Sequence, residues 1–294
     1  IKRRDGKNMI SIGLTLSGGM LKGAYQAGAL QCISERIPSQ LFRYNSAASI
    51  GMVNAFAFFS GQSASLIPLW RESAERLQKK SPLHFLKQSF WDSILENVSS
   101  LSPEGLPNLY VPLLNTSTHR IQYINFAKVH PAQFALYLQA GISLPPFHPP
   151  VKIQNHYFYD GALLDNIPVF PLEKKPLDYI FCFYFDQADY SFGKPELNQK
   201  IIRFNFWDDT IVKASLFATP REITQMIESG YHQTACRLDI ILKNGLEDKE
   251  YIHYIAKQKP IFPSKKYFIG CDRIVNACSR LARKISERSE CDTE

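Results

Sequence analysis

Three stretches of this chain carry the means for acyl transfer. Ser49 stands in Ala47-Ala48-Ser49-Ile50-Gly51, just ahead of the apolar run Met52-Val53-Asn54-Ala55-Phe56-Ala57-Phe58-Phe59, which reads as a helix. A serine on so tight a strand-to-helix turn has its hydroxyl thrust out of the sheet, with the first N–H groups of the helix beside it. Upstream lies a glycine turn, Ser17-Gly18-Gly19-Met20-Leu21-Lys22-Gly23, whose N–H groups at Gly18, Gly19 and Met20 can face an oxyanion. Downstream, Tyr159-Asp160-Gly161-Ala162 offers a carboxylate to take the serine proton. Ester cleavage needs a nucleophile, a proton acceptor and donors for the oxyanion, and these stretches hold one each. A carboxylate of ordinary pKa, near ~3.9, is a weak base for a hydroxyl, so position and desolvation must supply the rest. Plainer readings exist: Ser49 as a helix N-cap, Asp160 as half of an Asp-Gly turn, Gly18-Gly19 as a phosphate loop. The last fails, because Gly23 is followed by Ala24 and Tyr25 where a phosphate loop needs Lys and Ser or Thr. The first two lose ground because all the partners of catalysis occur together.

The elements that must hold these residues are legible in the pattern. Ile10 to Leu16 alternates as a strand, and Ala24 to Leu30 is a helix dense in small residues that can lie close to a sheet. Ser63 to Leu77 spaces Ile67, Trp70, Ala74 and Leu77 as a helix face. Residues 79–108, with Phe85, Phe90 and Trp91 among several prolines, are expected to form a cap or insertion, and a lid or membrane-binding face is expected there or near Phe217. Tyr110 to Leu114 and Arg120 to Ile124 predict a hairpin, Pro131 to Ala140 a helix closed by Gly141, and Val151 to Tyr159 one strand delivering Asp160. Asp178 to Phe185 is nearly all apolar, as a strand buried on both faces should be, and Ile201 to Phe206 is weaker but similar. Thr219-Pro220-Arg221-Glu222 has the parts of a capping box, and Ile274, Cys278, Leu281 and Ile285 predict a closing helix. Strands alternating with helices predict a mainly parallel sheet covered on both faces, with the site at the carboxyl ends of its strands.

Composition bounds the function. The chain has 294 residues, 45% of them apolar, enough for one large domain, expected to span 9–290 with residues 1–8 outside the fold. A net charge of +7 favours anionic surfaces such as lipid headgroups. The basic residues form no clustered stripe, so nucleic acid is not an expected partner. The six cysteines show no metal or disulfide spacing, and no histidine lies at ligand spacing; no metal is expected and the thiols suit a reducing, cytoplasmic setting. His232 and His253 follow Asp160 in the order of a Ser–Asp–His triad, but Ser49 comes too early after the glycine turn for that arrangement.

The glycine turn through Gly28, the elbow Ala48-Ser49-Ile50-Gly51, and Tyr159-Asp160-Gly161-Ala162 with Asn166-Ile167-Pro168 together resemble the motifs of patatin-like phospholipases, in the right order. The resemblance covers roughly Met9 to Pro168. It implies a three-layer α/β/α fold and a Ser49–Asp160 dyad with an oxyanion hole at Gly18, Gly19 and Met20, supported by Lys22, Gly23, Gly51 and Gly161. It further implies cleavage of acyl esters of membrane lipids at a peripheral membrane surface, without metal or organic cofactor. A thioesterase or transacylase using the same dyad, or a catalytically silent lipid- or partner-binding fold, are the alternatives. Two positions depart from the family: Ala47 where the elbow has its first Gly, and Met20 where a third Gly is usual.

Overall fold

The computed structural model describes residues 10–78, 104–145, 147–185, 190, 192, 194–206 and 218–257. The expected cap and lid at 79–108, most of it, the region of Phe217 and the closing helix at 274–285 lie outside the described residues.

An eight-stranded sheet runs in the order β5-β6-β3-β2-β1-β7-β8, with β4 also on β3. The strands are β1 (Ile12–Leu16), β2 (Phe42–Ala47), β3 (Asn108–Asn115), β4 (Arg120–Asn125), β5 (Val151–Ile153), β6 (His156–Asp160), β7 (Tyr179–Tyr184) and β8 (Ile201–Asn205). Five of them, β1, β2, β3, β7 and β8, are parallel, while β4, β5 and β6 pair antiparallel. The helices are α1 (Gly23–Arg36), α2 (Ile50–Phe59), α3 (Ser63–Gln78), α4 (Pro131–Ala140), α5 (Pro195–Lys200), α6 (Pro220–Ile241) and α7 (Lys249–Lys257). β7 shows why the sheet has two covered faces: Tyr179, Phe181 and Phe183 join the large core with α1, α2 and α6, whereas Ile180, Cys182 and Tyr184 join a second core with Leu172 and Leu197. A strand whose alternate residues all face apolar layers must be apolar throughout.

Most expected elements form where their patterns lie. Asn115 closes the β3–β4 hairpin by accepting from the N–H groups of Ser117 (2.9 Å) and Thr118 (3.2 Å). α6 opens on the capping box, with Glu222 accepting from the Thr219 N–H and the Thr219 hydroxyl accepting from the Glu222 N–H. The small residues of α1 have a use beyond the sheet. A Cβ on Gly28 would lie 1.9 Å from the Ile227 carbonyl oxygen, and one on Gly230 would lie 2.0 Å from that of Tyr25. The backbones of α1 and α6 therefore touch at a glycine pair.

One expectation fails. Val151 to Tyr159 is not a single strand but the hairpin β5–β6, turning at Gln154, whose φ is 55°. The alternation stops over Gln154, Asn155 and His156, three polar residues in a row, and the reversal falls in that gap. The consequence reaches the site, because β6 runs antiparallel to β3 and Asp160 does not arrive at the end of a parallel strand.

Candidate active site

β3 brings the two halves of the site together. Its residues 108–110 pair with β2 and its residues 113–115 with β6, while β4 runs along 110–115. Overlap with β4 leaves β2 and β6 on the same edge of β3, pointing at each other. Ser46 lies opposite Tyr110 and Asp160 opposite Leu113, so the carboxyl tips of β2 and β6 meet across Val111 and Pro112. A Cβ on Gly161 would lie 2.5 Å from the Pro112 carbonyl, so only glycine lets the chain turn off at that point.

Ser49 is 4% exposed and has φ 52° and ψ −131°. A side chain at positive φ costs on the order of 1–3 kcal/mol and persists only where the surroundings impose it. They do: the Ala48 N–H donates to the Leu16 carbonyl at 3.0 Å, and the N–H groups of Gly51 and Met52 donate to the Ala48 and Ser49 carbonyls, each at 2.9 Å. A Cβ on Gly51 would stand 2.7 Å from the Ser17 carbonyl oxygen, so α2 starts directly over the end of β1. The Ser49 side chain does not cap α2, which removes the plain N-cap reading. Its hydroxyl comes close enough to the Asp160 carboxyl to pull that group's pKa down. Ala47, the departure at the elbow, is fully buried opposite Leu16 with room for its methyl.

Asp160 is completely buried. Its N–H donates to the Ser143 carbonyl at 2.8 Å, and its Oδ1 accepts from the Ala162 N–H at 2.9 Å. Its Oδ2 is buried without a hydrogen-bond partner. Burial pushes the carboxyl pKa up to about 7, against the lowering effect of the Ser49 hydroxyl and the Ala162 N–H. Desolvation disfavours the charged form, and a base near neutrality is suited to take a proton at physiological pH.

The glycine turn lies against both. A Cβ on Gly18 would fall 2.8 Å from the Ser49 Cβ and 2.6 Å from Asn166 Oδ1. The expectation that Gly18 donates to an oxyanion needs correction, since its N–H donates to the Asn166 carbonyl at 3.3 Å. Asn166 returns the contact, its Nδ2 donating to the Gly18 carbonyl at 3.2 Å. The two ends of a trans peptide point opposite ways. Anchoring the Gly18 carbonyl on Asn166 therefore turns the Gly19 N–H to the other side. The Gly19 carbonyl likewise accepts from the Lys22 N–H at 3.1 Å, which turns out the Met20 N–H. Met20 adopts φ 52°, the left-handed conformation that a third glycine would take without strain. Gly23 closes the turn, with room for a Cβ denied by Ile50 at 2.7 Å and Trp70 at 2.8 Å.

Other candidates lie elsewhere. The ring of His253 is 5.8 Å from that of Tyr179, which pairs with Ile12 at the opening end of β1, so it is at the far end of the sheet from Ser49. His232 is exposed on α6. No cluster of three or more His, Cys, Asp or Glu able to hold a metal ion occurs among the described residues. Sequence reasoning quoted Asn166 in a motif without a role, and missed the buried amides of Gln26 and Asn54; no periodicity signals a partner found only in three dimensions.

A three-layer α/β/α sheet with a serine elbow, an overlying glycine turn and a buried carboxylate defines a class of protein within which the family can be asked for. The patatin-like phospholipase profile matches residues 14–172, more than half of the chain, and the chain belongs to that family. A search of curated protein sequences found no significant match. Among solved structures, VipD from Legionella pneumophila is 16% identical with a TM-score of 0.50, over 81% of this chain and 69% of that one. The type III effector ExoU, of Pseudomonas aeruginosa, is 14% identical with a TM-score of 0.43, over 78% of this chain and 53% of its own. Human GIVD cytosolic phospholipase A2 is 11% identical with a TM-score of 0.42, over 84% and 59%. The chain thus spans little more than half of ExoU, and at these identities the likeness to VipD speaks for fold alone.

Proposed function

We propose that the chain is a serine lipid acyl hydrolase of phospholipase A or lysophospholipase type, acting on acyl esters of membrane lipids by a Ser49–Asp160 dyad. The observation that carries it is the meeting of the Ser49 hydroxyl with a carboxyl whose burial has raised its pKa to about 7. In the acylation step Ser49 Oγ bonds to the ester carbonyl carbon and its proton passes to Asp160. The carbonyl oxygen becomes an oxyanion facing the Gly19 and Met20 N–H groups, with the positive end of the α2 dipole behind Ser49. Collapse breaks the ester C–O bond, and the departing alcohol takes the proton from Asp160. Water then attacks the acyl-serine, again giving a proton to Asp160, and the fatty acid leaves as Ser49 regains its hydrogen. The net positive charge suits approach to an anionic bilayer, and among the described residues no helix is long and apolar enough to cross one.

The test is labelling by a fluorophosphonate together with fatty acid release from phospholipid vesicles. Labelling should map to Ser49, and release should vanish in both Ser49→Ala and Asp160→Asn. Release that survives both substitutions would refute the mechanism. Faster turnover of acyl-CoA than of vesicle lipid would move the substrate to thioesters with the dyad intact.

A further inference from the structure

Behind the glycine turn runs a chain of buried hydrogen bonds that the dyad does not use. Trp70 Nε1 on α3 donates to Asn54 Oδ1 on α2 at 3.0 Å. Asn54 Nδ2 donates both to Gln26 Oε1 on α1 at 3.0 Å and to the Gly23 carbonyl at 2.9 Å. Gln26 Nε2 then donates to the Ser17 carbonyl at 2.8 Å. Gln26 and Asn54 are fully buried and Trp70 nearly so. The direction of this chain is forced. An indole can only donate, so it fixes which end of the Asn54 amide faces it; Asn54 in turn fixes the Gln26 amide, whose N–H is left for Ser17. Holding the Ser17 carbonyl to one side turns the Gly18 N–H to the other, where the Asn166 carbonyl receives it. The next two peptides carry the Gly19 and Met20 N–H groups.

We propose that Trp70, Asn54 and Gln26 are positioning residues, a one-way relay that sets the orientation of the oxyanion donors from three helices at once. The proposal rests on the hydrolase reading above. A relay that merely held the fold together would change stability alone; one that aims donors changes transition-state binding.

The experiment compares Gln26→Met, which removes the donor at similar volume, Gln26→Glu, which keeps the acceptor for Asn54, and Trp70→Phe. Each is assayed on a short acyl ester and with a trifluoromethyl ketone, whose adduct with serine bears an oxyanion. In variants that melt cooperatively, kcat should fall roughly 10- to 100-fold, less than or similar to loss of a donor itself. KM should stay within about threefold, and ketone affinity should weaken in parallel with kcat. The double variant Trp70→Phe with Gln26→Met should lose no more than Gln26→Met alone, because both break one relay. An unchanged kcat, a loss confined to KM, or losses that multiply would overturn the relay. Should Gln26→Met fail to fold, Gln26→Glu and Trp70→Phe decide by the same criteria. A wild-type chain with neither turnover nor Ser49 labelling would condemn the hydrolase reading and the relay with it. A labelled, active wild type beside a Gln26→Met variant of full kcat would condemn the relay alone.

Discussion

Burial lifts the Asp160 carboxyl to about 7 although the Ser49 hydroxyl and the Ala162 N–H pull it down, so desolvation is the larger effect at this residue. Only the ionised form can accept the serine proton. We therefore expect kcat/KM to rise about tenfold per pH unit below neutrality and to level above an apparent pKa near 7. A pH–rate profile checks this, and a plateau already complete at pH 5 would contradict it. Ser49 carries the opposite kind of burden, a backbone held at φ 52°. Ser49→Gly should relieve that conformation and stabilise the fold by about 1 kcal/mol while abolishing fluorophosphonate labelling. A melting temperature below that of wild type would show the elbow to be unstrained.

At the scale of elements, the α1–α6 crossing depends on two bare backbones. Helix propensity alone would favour Gly28→Ala by about 1 kcal/mol. The added Cβ, however, would sit 1.9 Å from the Ile227 carbonyl oxygen, which belongs to backbone and cannot rotate away. Overpacking of this kind costs on the order of 1–3 kcal/mol or more, so the net change should be destabilising. Urea unfolding of Gly28→Ala and Gly230→Ala would measure it, and a gain in stability would mean that the helices can part freely. The sheet makes a second use of close approach. β3 is long enough to carry two strands end to end on one edge, and Pro112, without an N–H, stands where neither strand pairs with it.

At the scale of the molecule, the buried Asp160 carboxyl weakens the fold. Its folded pKa lies above its unfolded value, so between roughly pH 4 and pH 7 the folded chain keeps a proton that the unfolded chain has lost. Stability then falls as pH rises through that window, by on the order of 4 kcal/mol at most. Asp160→Asn should accordingly be more stable than wild type at pH 8 and closer to it at pH 5; denaturant unfolding at both values decides, and an equal difference at both would refute the shift. The thiols offer an independent check of the core. Burial raises Cys32 to about 11 and Cys182 to about 12, whereas Cys236 is exposed. Alkylation at pH 8 followed by peptide mass analysis should find Cys236 modified well before Cys32 and Cys182.

Local chemistry made much of this legible in the amino-acid order. Turn glycines, a capping box at Thr219, the all-apolar β7 and the serine elbow each depend on residues within a few positions of one another, so their signals survive in one dimension. The hairpin at Gln154 reads as one strand although Gln154, Asn155 and His156 interrupt its alternation, because a short polar run marks a possible turn without fixing which strands pair across it. The roles of Gly18, Asn166, Gln26 and Asn54 left no local signal, since their partners lie as much as 148 residues away. Sequence alone thus determined which groups could do acyl chemistry and on which local turns they sit. The tertiary structure decided that β2 and β6 meet tip to tip on β3, which way the peptides of the glycine turn face, and how far burial raises the Asp160 carboxyl, because register, peptide orientation and desolvation are properties of packing between distant segments.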